Sequence, residues 1–168
     1  PPYDTADYRR RFLNPQLIWE AEIRRARAIL DWPNDGIPTV RPNLGVVFVP
    51  AVAGQSYQVH DGQMPWPGSP LARRALQAIP SVDVAAAELT RRAEEFYRIH
   101  RERGGQDVAA YQPDTQGVFD VAHLLRGDGI LTAMAGDEAE QAEVLDTLEI
   151  CLDLYVKVVR QVKSLIGE

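Results

Sequence analysis

A chain of 168 residues, 45% apolar and 25% charged, can bury a core of its own without disulfide or metal staples. Its formal charge of −6 argues against a nucleic-acid partner, which would need a concentrated basic face. No apolar run approaches the roughly 20 residues of a membrane helix, so no membrane partner is expected either. The opening PPYDTADYRRRF does not read as a secretory leader, and without an initiating Met it is expected to be a trimmed or excerpted end. One cysteine allows no internal disulfide, which points to a reducing, cytoplasmic setting.

Asn14-Pro15 is a helix start: Asn can cap, and Pro at the first helical position gives up no needed N–H. The helix is expected to run to Leu30 with Leu17, Ile18, Ala21, Ala28 and Ile29 as its apolar stripe, ending at Trp32-Pro33 before an Asn34-Asp35-Gly36 turn. The arginines at 9–11 and at 24, 25 and 27 read as solvated faces, with Glu20 and Glu22 a turn from the second group. Ile37–Leu44 reads as a strand made irregular or edge-like by Pro38 and Pro42. Gly45–Ala53 is apolar and ambiguous between helix and strand, and Tyr57–Val59 reads as a second strand. Residues 60–82 form a proline-rich loop with a short helix near Leu71–Ala78.

From Val82 the helical period returns through Val84, Leu89, Ala93, Phe96 and Ile99, until Gly104-Gly105 stops it. Val108–Gln112 is a strand, Phe119–Leu125 a helix ended by Gly127. Asp137 and Glu140 make a capping box for a last helix reaching Ile166. Its stripe of Leu145, Leu148, Leu152, Tyr155, Val159, Val162 and Ile166 is expected to be core, with Cys151 a small packing residue rather than a nucleophile.

Strands alternating with helices predict an α/β fold with parallel strands. Three or four strands are about half of what a (β/α)8 TIM barrel of roughly 250 residues contains, so a partial barrel is the expected architecture.

Dinucleotide, phosphate-loop, zinc-protease and nucleophile-elbow motifs are all missing, and His60, His100 and His123 lie far apart with no familiar metal spacing. In YQPDTQGVFDVAHLLRG (111–127) a strand passes through polar residues into a helix. At the C-terminal end of a barrel strand, Asp114, Thr115 and Gln116 would face the active cleft. The same residues also suit a helix cap and turn. His123 is either a packed or surface residue or a proton shuttle. In HDGQMPWPGSPL (60–71), Trp66 and Met64 either cover a flat ligand or plug the end of the barrel.

The succession VVFVPAVAGQSYQV, MPWPGSPL and DTQGVFDVAHLLRGD, followed by a long helix, resembles the uroporphyrinogen decarboxylase superfamily, which includes corrinoid-dependent methyltransferases. The likeness lies in the order of a V-P-x-x-x-G segment, a P-x-P-L-type loop and a strand-ending stretch closed by Gly127, over about half the chain. It implies the first half of a (β/α)8 barrel with its cleft at the strand C-termini, and activity is not expected of this half alone. Aligned on Val49-Pro50, Gly45 stands where the decarboxylases have an aspartate, and Arg41 in VRPNLG stands in only partly for their arginine motif. The family's tyrosine falls at His123.

These departures favour the methyltransferase-like branch, acting on a corrinoid-borne or small methylated substrate with a corrinoid protein as partner. That branch binds zinc through cysteine and histidine in the second half of the barrel, so no cofactor is expected within this chain. Asp114 and His123 are the catalytic candidates, and Arg41, Asn43, Trp66, Gln116 and Asp120 the substrate-binding ones. A carboxy-lyase acting on a porphyrinogen or another acid is the second reading, with Asp114 or Asp120 replacing the missing aspartate. A non-catalytic half-barrel that binds a ligand or pairs with another copy is the third.

Overall fold

A computed structural model describes residues 8–31, 33, 35–104 and 107–167. The expected helix stop at Trp32, the turn residue Asn34 and the stop residue Gly105 lie outside the described residues. Eight α-helices and four two-residue strands follow one another, with single 3-10 turns at Gly45–Val47 and Ile79–Ser81, among the described residues.

Helix α1 (Tyr8–Phe12) leads into α2 (Pro15–Leu30), whose start is capped as its sequence requires: the Asn14 side chain accepts from the N–H groups of Gln16 and Leu17 at 3.0 and 3.3 Å. The buried face of α2 differs from the expected stripe. Ile18 is shared, but Glu22, Ile23 and Ala26 are buried instead of Leu17, Ala21, Ala28 and Ile29. A carboxylate can turn inward there because Arg25 pairs with Glu22 at 2.8 Å and also donates to the Thr39 carbonyl.

Strand β1 (Thr39–Val40) is shorter than the expected 37–44, since Pro38 and Pro42 offer no N–H to a ladder. It pairs in parallel with β4 (Ala109–Ala110), Thr39 opposite Ala109 and Val40 opposite Ala110. The N–H groups of Ala109 and Tyr111 donate to the carbonyls of Pro38 and Val40 at 3.0 and 2.8 Å. The expected parallel strand at 57–59 is a hairpin instead: β2 (Tyr57–Gln58) pairs antiparallel with β3 (Trp66–Pro67). Gly62, at φ +77°, lies in the loop that returns the chain, so this strand is spent on its neighbour in sequence.

The ambiguous segment 45–53 is helical, with α3 (Phe48–Val52) following the turn at Gly45–Val47. Pro50 falls in its first turn, where the missing N–H breaks no helical bond. Helix α4 (Arg73–Ala78) lies where expected. Helix α5 (Glu88–Arg103) starts later than Val82, because Asp83 first accepts the N–H groups of Ala85 and Ala86 in a turn. Its buried face contains the expected Leu89, Ala93, Phe96 and Ile99, joined by Thr90 and Tyr97.

Helices α6 (Val118–Arg126), α7 (Gly129–Met134) and α8 (Glu138–Ile166) complete the chain. The capping box of α8 forms as expected: Asp137 accepts from Ala139 and Glu140 N–H, and Glu140 accepts from Asp137 N–H. Its buried face shares only Val162 with the expected stripe, of which Leu148 and Ile166 also pack, part-buried, against the core. Val144, Thr147, Cys151, Leu154, Val158 and Val162 face the core, whereas Leu145 and Leu152 are 62% and 49% exposed. The helix is apolar over a sector wider than its contact with the core, and the small Thr147 and Cys151 allow close approach on one side of that sector. One continuous core joins α2, α3, α5, α6 and α8 to the sheet. The result is a helix-rich α/β fold built on a two-stranded parallel sheet.

Candidate functional site

Parallel pairing sends the chain out of β1 and β4 over the same edge of the sheet. Arg41 and Asn43 leave one strand there, and Asp114, Thr115 and Gln116 the other. The exit from β4 is held by the buried Tyr97, whose hydroxyl donates to the Tyr111 carbonyl at 2.8 Å. Burial pushes that phenol above its usual range, which keeps it a donor.

Beyond Tyr111, Pro113 and Thr115 point inward, while Asp114 and Gln116 are part-exposed. One Asp114 oxygen accepts both the backbone N–H of Gln116 at 3.2 Å and its side-chain amide at 2.7 Å. Gln116 has φ +56°, the one left-handed non-glycine among the described residues. Such a backbone costs on the order of 1 kcal/mol or more and persists where the surroundings enforce it. Asp114 therefore shapes the strand exit and does not cap α6. The N-cap there is Gly117, whose N–H donates to Asp120, three residues into the turn, at 3.1 Å.

Arg41 and Asn43 are part-exposed. Asn43 borders a hollow of about 20 Å³ with Glu22, Arg11, Met64 and Pro65, room for about one water. Gly45, at φ +67°, lies under the hairpin: a Cβ built there would be 3.0 Å from Met64 Cε and 3.5 Å from Pro65 Cγ. The β2–β3 hairpin packs on this turn, and its Trp66 is 65% exposed.

Asp114 and Gln116 thus come together at the edge where Arg41 and Asn43 emerge. His123 does not join them. Its Nε2 lies 2.9 Å from Asp128 Oδ1, beyond the opposite end of α6. Of the two catalytic candidates only Asp114 lies at the strand ends, because His123 is more than a turn into the helix and bonds in the loop that follows it. Asp120 is committed to the backbone.

A cleft of about 580 Å³ that the sequence did not signal lies between α4, the end of α6 and α8. Arg73 and Arg126 face Glu143, Asp146 and Asp153 across it, with Arg73 and Glu143 paired at 2.7 Å. These partners are 70 residues apart, so no local pattern could announce them. The cleft is far larger than the hollow beside Asn43, but its ion pair is largely solvated and no buried unpaired group among those lining it is seen.

Among the described residues no three His, Cys, Asp or Glu side chains gather as a metal site, and no helix is long and apolar enough to cross a membrane. The chain matches no protein-family model, no curated protein and no solved structure.

Proposed function

We propose that the edge formed by the C-terminal ends of β1 and β4 binds a small methylated or corrinoid-borne substrate, as part of a uroporphyrinogen decarboxylase-like (β/α)8 barrel of the methyltransferase-like branch. The observation that carries this reading is the parallel β1–β4 register, which delivers Arg41 and Asn43 beside an Asp114–Gln116 turn held in a strained backbone. Arg41 would hold an anionic group, and the amides of Asn43 and Gln116 would supply orienting hydrogen bonds. Asp114 would accept from a donor on the substrate while keeping Gln116 in place. His123 has no part in this arrangement.

Gly45 supports methyl transfer over decarboxylation. An aspartate at that position would need a left-handed backbone and would press on Met64 and Pro65. Asp120 is a poor replacement for it, since its carboxylate accepts the Gly117 N–H at the start of α6.

Calorimetric titration with methylcobalamin tests the proposal. Saturable binding to the parent chain is expected, weakened at least about tenfold, or roughly 1.4 kcal/mol, in Asp114→Ala and in Arg41→Ala. Absence of binding, or conversion of uroporphyrinogen to coproporphyrinogen above a heated control, would overturn it.

A further inference from the structure

We propose that a second copy of this chain docks antiparallel on the apolar flank of α8, forming a two-fold symmetric dimer. The flank consists of Leu145, Leu148, Leu152, Tyr155, Val159 and Ile166, which recur every three or four residues through Val159 and return a further seven on. They follow the side of the helix next to the buried face, and all six are exposed or part-exposed. Leu145 and Leu152 leave 62% and 49% of their surface in water. Apolar residues at this spacing along a 29-residue helix form a seam of the kind two helices share.

Charge decides which partner fits and in which direction. The flank is bordered by Glu138 and Glu149 in the first half of α8 and by Arg160 and Lys163 in the second, all exposed. In a parallel copy the two-fold axis would run along the helices and put Glu149 and Lys163 of the two copies on opposite sides of the seam, where neither meets an opposite charge. An antiparallel copy, with its two-fold axis near Leu152, brings Leu145 level with Val159 of the other. The same arrangement sets Lys163 within a turn of the other copy's Glu138, and Arg160 on the side of its Glu149. Both ends are then complementary at once, because the two-fold repeats each pairing. The helix dipoles also oppose, which favours the same direction.

Two exposed and four part-exposed side chains on each copy, Leu148 and Ile166 among them also packing on the core, remove only several hundred Å² from water, the low end of interface sizes, so association in the micromolar range is expected. The charges set orientation more than affinity, and salt should weaken the dimer.

Sedimentation equilibrium across the micromolar range should show monomer passing to dimer. Leu152→Glu should abolish dimerisation without altering the far-ultraviolet spectrum, and should lower the monomer's melting temperature by no more than a few degrees, because Leu152 is only half-buried. A spin label at Gln141→Cys should report roughly 33 Å between copies if antiparallel, against about 10 Å if parallel, from 1.5 Å of rise per residue. A monomer at every concentration, a dimer indifferent to Leu152→Glu, or the shorter distance would each overturn the proposal.

Discussion

Truncating Leu154 to Ala should cost about 3 kcal/mol of folding free energy, whereas the same change at Leu152 should cost about 1 kcal/mol at most. Leu154 is 1% exposed and lies among Cys151 and Val158, both fully buried. Removing its three outer carbons forfeits roughly 0.8 kcal/mol of transfer free energy each, and the cavity left in a close-packed site adds to that. At Leu152 half the surface is already in water, which halves the first contribution, and an open site leaves no cavity. Urea unfolding, at a protein concentration where the chain is monomeric, separates the two. With a slope of about 2 kcal/mol/M, the midpoint should fall by roughly 1.5 M for Leu154→Ala and by no more than about 0.5 M for Leu152→Ala. Equal shifts, or a larger one at Leu152, would show that the wrong face of α8 has been assigned to the core.

The Trp19 indole N–H donates to His100 Nδ1 at 3.2 Å, which requires that nitrogen to be unprotonated. Burial holds His100 below the usual histidine range, with a Val108 backbone bond opposing and Arg101 adding to the effect. The fold therefore favours the neutral ring: its contribution is present above about pH 6.5 and is lost as pH falls below that. Urea midpoints at pH 7.5 and 5.5 should differ more in the parent than in His100→Gln, and an equal difference would contradict this. Gly45→Ala should lower stability by about 1–2 kcal/mol through its left-handed backbone, and Met64→Ala in the same chain should restore only part of it; full rescue in thermal melts would place the cost in the Met64 contact alone. Cys151 is fully buried and its thiol is pushed up to about 11 by burial, so a thiol reagent should modify it only after denaturant is added. Rapid reaction of the native chain would count against that burial.

Features settled by neighbours in sequence were legible in it. Asn14-Pro15 and Asp137 with Glu140 specify their helix starts within a single turn, and the α5 stripe has only one apolar side to bury. The face of α8 could not be read in the same way. Its apolar sector is wide enough for two stripes, and which one meets the core depends on how closely Thr147 and Cys151 let other helices approach. Glu22 misled the reading of α2 for a related reason, since its burial depends on a partner, Arg25, and on a carbonyl in β1. The place of Asp114 and Gln116 beyond the end of β4 was legible because the strand and the polar run after it are neighbours in sequence. The place of His123 turned on the loop after α6, and the α4–α8 cleft is made by residues far apart in sequence.

Backbone amide resonances of the chain, followed during titration with methylcobalamin, test the strand-end site most directly. Shifts are expected to concentrate in residues 41–45 and 111–117, leaving those around Arg73, Glu143 and Asp153 unmoved. Shifts centred on the α4–α8 cleft, or none at saturating ligand, would contradict it.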